Sequence, residues 1–524
     1  MNMLNRLGAA TLAALLCTGA AQAERLTLAI GSEVTSLDPH FFNNTTNNAF
    51  AAAIFETLVA RDDRGKLTSG LATEWTAVGD TVWEFKLRPD VVFHNGNTLT
   101  AEDVAFTVAR IPQVVNSPGS FQTYLASVER VEVVDPLTLR IHTKGPDPLL
   151  PVALSTISIL DAQTHEGKTT QDFDSGGAVI GTGPYRYASH RPGDVVELTR
   201  NDSYWGDAPA WSEVSYRMIP NEAARVAALL SGGVDFIDQP PTSDIEMLRG
   251  RDDLALSEVD SLRIFYLLFD MTGKAAHVTD NAGASLAGPQ SPLLDARVRR
   301  ALSLAIDRKA IVARVMEGNA AAAGQPVPAG ASGHVADIAV PELDIDAAKA
   351  LLAEAGYPEG FRLSLHGSND RYPNDSQILQ AVGQMWSRAG VRTQVVVAPF
   401  TSYIAAASKQ EYSALQGSFG SSTADPIAGL RTVFATYDKE RGFGSANRGR
   451  YSNPDLDKLL IEAMHEMDET RRAQLVERMM HITVEDTAII PLHHQRAIWV
   501  MRKGMTHVPR MDEQTRPQDV RPAG

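Results

Sequence analysis

Few residues in this chain are spaced for covalent chemistry. A serine hydrolase needs a Gly-x-Ser-x-Gly elbow and a zinc protease a His-Glu-x-x-His helix, and the sequence holds neither. Gly167-Lys168-Thr169 has the form of a phosphate-loop tail, but Ala162 stands where the leading glycine belongs. Gly181-Thr182-Gly183 is followed by Pro184-Tyr185-Arg186 instead of a third glycine opening a helix, so it reads as a tight entry to a strand. His493 and His494 are adjacent; on a strand they project to opposite faces and cannot chelate one ion together. His465-Glu466 lacks a third ligand and reads as helix surface. Asp238, Asp244 and Asp425 would form an acid–base pair only if the fold set two of them across a cleft, which spacing does not show. The residues call for no catalytic group, no cofactor and no metal.

The elements that position these residues begin after a leader. Arg6 precedes an apolar run from Leu7 to Cys17, and Ala21-Gln22-Ala23 follows. One charge, a short apolar stretch and a small-x-small ending describe a secretory signal peptide over 1–23, cut after Ala23. The run is shorter than the ~20 residues of a membrane-spanning helix. Leu15-Leu16 ahead of Cys17 lack the small residue that a lipid-attachment site wants. Cys17 is the single cysteine, so the mature chain is expected to carry no disulfide, thiolate metal site or cysteine nucleophile. The 524 residues, 44% of them apolar, suffice for two or three cores. A net charge of -15 repels polyphosphate and excludes sequence-independent nucleic-acid binding.

Alternation over Leu26 to Ile30 predicts a strand running into Gly31-Ser32. Thr81 to Leu87 is a second strand, and Thr100 with Asp103 three residues on starts a helix. Val131 to Val134 and Thr138 to His142, parted by Asp135-Pro136, read as a hairpin. Glu222 to Leu230 is a helix closed by Gly232-Gly233 and followed by the strand Val234 to Ile237. Gly273 to Gln290 has no period and reads as a mobile loop. Later helices start at Asp295, Asp307, Asp346 and Ser376, the last leading into the strand Val391 to Val397. Two more, Pro454 to Glu466 and Glu469 to Asp486, precede the strand Ala488 to His493. The fold class is mixed α/β with at least two lobes.

The order of several motifs carries a resemblance. Ser36-Leu37-Asp38-Pro39-His40, Glu56-Thr57-Leu58-Val59, Leu71-Ala72-Thr73-Glu74-Trp75 and Trp83 to Arg88 come in turn. They lead through Phe93-His94-Asn95-Gly96 to Thr100-Ala101-Glu102-Asp103-Val104, Gly181 to Tyr185, Ala227 to Asp235, Asp295 to Arg308 and Ala348 to Pro358. Together they resemble the extracytoplasmic solute-binding proteins of the peptide/nickel ABC importer family, over nearly all of the mature chain. The resemblance implies a two-lobed periplasmic clamshell with an extra β-rich subdomain in the first lobe. Lobe I would hold 24–56, 182–270 and 490–524, its subdomain 57–181, and lobe II 271–489. Ile264 to Phe269 and Ala488 to His493 are apolar strands where the two hinge crossings should lie. A monomeric periplasmic receptor is implied, closing on a peptide or peptide-like molecule and passing it to inner-membrane permease subunits.

Peptide-binding relatives hold the ligand carboxylate with an arginine ahead of a lobe II helix, and Arg371, next to Tyr372, occupies that place. Dipeptide-type relatives carry Gly-Trp-x-Gly-Asp after a strand; here Gly417, Ser418, Phe419, Gly420, Ser421 and Ser422 match it, with Ser421 where the acidic anchor is expected. A hydroxyl hydrogen-bonds an ammonium but supplies no charge. Asp425 or Glu33 would have to replace it. Ser32, Glu33 and Thr35 follow the first strand, where α/β sheets gather ligands, and Phe400 and Tyr403 are candidate wall residues. The competing readings are a non-peptide cargo (sugar, opine or metal chelate) and, from another class, an exported hydrolase using a carboxylate pair.

Overall fold

The computed structural model describes residues 25–274 and 277–523. The leader over 1–23 and Cys17 lie outside them. In the opening strand, Arg25–Ile30, Leu26, Leu28 and Ile30 face one core with Phe50, Ile54 and Tyr216, while Ala29 faces another with Val226 and Ile237. Burial of both faces is what an apolar run feeding a parallel sheet provides. The strand pairs in parallel with Glu213–Met218 on one side and Phe236–Asp238 on the other. The intervening helix Glu222–Ser231 is capped by Asn221, whose side chain accepts from Ala224 N at 2.9 Å, and it ends on Gly232 at φ 84°. Only glycine adopts that left-handed conformation without steric cost.

A separate four-stranded antiparallel sheet runs in the order Ala72–Ala77, Val82–Leu87, Thr138–Thr143, Val128–Asp135. Phe85, Leu87, Leu139 and Ile141 pack with Val104 of the helix Ala101–Arg110, whose start is the capping box of Thr100 and Asp103. The last residue of that helix ties the subdomain to lobe I. Arg110 Nη2 lies 2.7 Å from Asp38 Oδ2, and Nη1 donates to His40 Nδ1 at 2.9 Å. With Nδ1 accepting, the His40 proton sits on Nε2, which donates to Ser158 O at 2.8 Å.

The second lobe is built on Arg362–Ser368, parallel to Arg392–Ala398 and Ala414–Gly420, with the helix Asp375–Arg388 burying Ile378, Leu379, Val382 and Trp386 against it. Opposite that face, the helices Pro454–His465 and Glu469–Glu485 pack around Leu460, Val476 and Met479. Two expectations change here. The segment from Gly273 to Gln290 is not wholly loop: Val278–Thr279 pairs with Leu363 and Arg362 at a sheet edge. The helix after Asp307 lasts one short turn, Arg308–Ala310, and continues as a π-turn over Ile311–Val315.

Two long strands join the lobes. Leu254–Phe269 and Ile490–Arg502 run antiparallel through one twelve-stranded sheet. At one end Trp499 to Met501 pair with Phe236–Asp238 of lobe I; at the other, Arg263 to Phe269 pair with Ala414–Gly420 of lobe II. The register between the two strands slips between Asp260 and Ile264, leaving Ser261, Leu262 and Arg263 out of the ladder. The chain after the second crossing supplies what the ladder does not. Leu262 N donates to Met511 O at 2.9 Å and Ser261 Oγ to Glu513 Oε1 at 2.9 Å. The molecule is a two-lobed α/β clamshell whose hinge strands are paired with each other and bulged midway.

Candidate ligand crevice between the lobes

The chain leaves the strand Arg362–Ser368 through Asn369 to Asn374 before the helix Asp375–Arg388 begins. Asp375 organises this loop: its Oδ2 accepts from Ser368 Oγ at 2.8 Å and from the backbone N–H of Arg371 and Tyr372 at 3.3 Å. Arg371 is exposed, and its guanidinium carbon lies 5.8 Å from the Tyr372 ring centre and 5.3 Å from that of Phe400. Among the described residues it makes no ion pair. Tyr372 meets Phe400 and Phe265 edge to face at 6.4 and 5.9 Å, and Phe265 stacks on His493 at 5.2 Å. An aromatic shelf thus leads from Arg371 down to both crossing strands, a surface on which a guanidinium is held by cation–π contact while its fork stays open.

The lobes touch at both ends of this region. Asn374, in left-handed conformation at φ 55°, donates to Thr242 Oγ1 of lobe I at 2.9 Å and to Val315 O at 2.8 Å. Ser422 Oγ lies 3.1 Å from Tyr124 OH, and the Arg61 guanidinium donates to the Ser422 carbonyl. Tyr124 OH also accepts from Asn43 Nδ2 at 3.0 Å. Arg61, Tyr124, Thr242 and Asn374 were not singled out from sequence. Nothing local marks them, because each acquires its role from a partner more than fifty residues away or on the other lobe.

The remaining candidates divide. Gly420 is exposed, and a Cβ there would come within 3.0 Å of the Arg263 guanidinium, so the end of this strand lies directly against that side chain. Ser421 Oγ is 3.4 Å from Thr423 Oγ1. Ser418 Oγ is buried without a hydrogen-bond partner among the described residues, and Phe419 packs against the lobe II core. Ser32, Glu33 and Thr35 are exposed beyond the first strand, where Asn47 receives the Thr35 N–H at 3.1 Å and returns a bond to its hydroxyl at 3.0 Å. Tyr403 is not wall but core: it is 3% exposed, its hydroxyl bonds Gln416 O and it stacks on Tyr412 at 5.8 Å. Asp425 is no free anchor either. Its carboxylate caps the turn Pro426–Gly429 by accepting from Ile427 N at 2.7 Å, and burial raises its pKa.

His493 and His494 are both buried, and desolvation lowers them to about 3 and about 4. Among the described residues no cluster of three or more His, Cys, Asp or Glu side chains is arranged to hold a metal ion. A cavity of about 530 Å³ is lined by lobe I, the subdomain and the C-terminal segment, with no residue of 271–489.

Residues 66–441 match the model of the bacterial extracellular solute-binding proteins, family 5. The chain belongs to that family. This family 5 protein is 26% identical over 480 residues to heme-binding protein A of Haemophilus influenzae, covering 86% of this chain and 83% of the relative. It is 26% identical over 512 residues to the glutathione-binding protein GsiB of Escherichia coli K12, covering 95% and 94%. The solved structure of HbpA2 from Haemophilus parasuis superposes with a TM-score of 0.81 at 24% identity, covering 95% of this chain and 100% of that one. The family 5 protein is a solute-binding receptor of an ABC importer, not an enzyme. No helix of the described residues is long and apolar enough to cross a membrane.

Proposed function

We propose that this family 5 protein is a periplasmic receptor, exported by the leader over 1–23, that encloses a peptide or peptide-like molecule bearing a free carboxylate. The observation that carries this reading is the Arg371 guanidinium, held on Tyr372 and Phe400 with no carboxylate of its own among the described residues. A planar guanidinium left open in this way accepts a carboxylate in two-pronged fashion. The moving bodies are lobe I with its subdomain (24–270 and 490–524) and lobe II (271–489). Cargo that contacts both favours the closed arrangement over the open one, and inner-membrane permease subunits read the closed shape. The glutathione-binding relative supports a peptide-like cargo. The heme-binding relative, at the same 26% identity, favours a second reading in which the cargo is a larger non-peptide carboxylate.

Thermal unfolding with glutathione, a pool of tripeptides and hemin distinguishes these readings. Cargo at a hundredfold excess over its dissociation constant adds about 2.7 kcal/mol of stability. Arg371→Ala abolishes that gain while leaving the melting temperature without cargo unchanged. Full stabilisation of the variant removes Arg371 from the site, and stabilisation by hemin alone selects the second reading.

A further inference from the structure

A pocket of about 270 Å³ lies on lobe II at the foot of the second hinge strand, apart from the interlobe crevice. Its walls are mostly apolar: Leu304, Val484, Ile489 and three prolines, Pro326, Pro341 and Pro491. Pro491 belongs to the hinge strand itself, where it pairs with Tyr266. Pockets for drug-sized ligands begin at ~300 Å³, so an occupant here is small.

The polar groups of the lining are few and lack partners. Arg300 and Ser303 are three residues apart on the helix Ala296–Leu304 and share a face. Arg300 is exposed and makes no ion pair or hydrogen bond among the described residues. Ser303 is 7% exposed, and its Oγ accepts from Arg308 Nη2 at 2.8 Å, which leaves its own proton free to donate. Arg308 is buried and directs its other donors onto Pro491 O at 2.7 Å and Ser303 O at 3.0 Å, so all its acceptors are neutral. No carboxylate offsets it, and burial lowers its pKa to about 10. Its neighbour Arg299, by contrast, is offset by Asp486. Beyond the end of the helix Glu469–Glu485, Thr487 holds a left-handed φ of 45°, which is costly for a β-branched residue. Its hydroxyl has no partner among the described residues. Glu485 is the single carboxylate of the lining among the described residues, exposed and unpaired.

A buried guanidinium without a counter-charge is costly, and an anion placed beyond Ser303 relieves that cost through the polarised hydroxyl. We infer that this pocket binds a small apolar carboxylate, its oxygens held by Arg300 and the Ser303 hydroxyl and its hydrocarbon body packed on the prolines. Two sources offer this chemistry: a free branched-chain amino acid, whose ammonium Glu485 meets at the rim, and the same acid without an amino group.

Isothermal titration of the full mature protein with isocaproate, leucine and leucinamide tests the assignment. Isocaproate is leucine without its amino group, and leucinamide carries no carboxylate. One saturable site is expected for isocaproate or leucine, and none for leucinamide. Tighter binding of leucine identifies an amino acid as the occupant, and tighter binding of isocaproate a simple acid. Arg300→Gln weakens binding about tenfold or more, as loss of a charged hydrogen-bonding partner does. Val484→Phe, which fills the pocket from the helix Glu469–Glu485 without changing charge, removes it. Arg371→Ala, at the crevice, leaves it intact. The inference is overturned if neither carboxylate saturates, if leucinamide binds as tightly, or if folded Arg300→Gln and Val484→Phe bind like the parent. Loss of binding in Arg371→Ala overturns it too, since that would place the ligand in the crevice.

Discussion

Arg263 and Glu513 form a two-pronged ion pair at the bulge of the hinge, with Nη2 2.8 Å and Nε 3.0 Å from Oε2. Arg263 belongs to the crossing strand and lies beneath Gly420, whereas Glu513 comes from the chain that follows the second crossing and adopts a left-handed φ of 61°. The pair therefore joins the point where the ladder is interrupted to a segment packed on lobe I. Removing one partner leaves a largely buried charge uncompensated, so Arg263→Ala is expected to cost about 3 kcal/mol in urea unfolding. A loss under 1 kcal/mol would show that water already screens the pair.

Asn374 offers a cleaner handle on closure. Glycine tolerates its left-handed backbone but cannot donate to Thr242, so Asn374→Gly removes the interlobe bond without adding strain. One hydrogen bond is worth about 1 kcal/mol, and a smaller closed population lowers apparent cargo affinity by about fivefold. Equal affinities in the two proteins would place the Asn374–Thr242 contact outside the closing equilibrium.

The subdomain is anchored by a buried charge. Arg110 and Asp38 are 7% and 0% exposed on their side chains. Burial works against the Asp38 carboxylate, but Arg110 outweighs it and holds the pKa below the ordinary value. Arg110→Leu is expected to lose about 3–5 kcal/mol. Asp38→Asn also strands the buried Arg110 charge, but its amide oxygen can still accept from the guanidinium, so the loss should be smaller. Chemical denaturation of both variants checks the order, and the reverse order would contradict it.

Acid should weaken the fold early. Burial lowers His40, His94, His366 and His494 to about 4, and His493 and His507 to about 3. An unfolded histidine titrates near 6.5, so below that pH the unfolded chain binds more protons and stability rises with pH. This contribution is complete above about pH 6.5 and is lost progressively as pH falls toward 4. Glu56 and Asp238, raised by burial to about 7 and about 6, act oppositely. Their folded forms hold protons longer, so their contribution is full at low pH and fades as pH rises through those values. The histidines outnumber them, and unfolding free energy is expected to fall between pH 7 and 5. His493→Phe, which keeps a ring against Phe265, should flatten that slope; an unchanged slope would exclude His493 from it.

Ser421 supplies the fifth test. Its hydroxyl stands where an acidic anchor is expected and carries no charge. Ser421→Asp should raise affinity for dipeptides with a free amino terminus and leave N-acetylated dipeptides unaffected, read by calorimetry. Equal effects on both would show that this position does not face the amino terminus.

What the sequence determined by itself was local and periodic. The alternation over Leu26 to Ile30, the capping pair Thr100 and Asp103, and the stop at Gly232-Gly233 depend on neighbours within a few residues, so they were legible. The ordered motifs carried the family in the same way, because each is a short string. The hinge strands were seen only in part. Leu254–Phe269 extends well before Ile264, but Ser257, Glu258, Asp260, Ser261 and Arg263 interrupt its apolar pattern, since that stretch lies where the bulge and the C-terminal chain provide polar partners. Tertiary structure alone decided that Glu513 answers Arg263, that Asn374 meets Thr242 and that Arg61 reaches Ser422. It also turned Tyr403 inward and spent Asp425 on a helix cap. Those outcomes depend on which distant surfaces pack together, and residue spacing along a chain carries no distance through space.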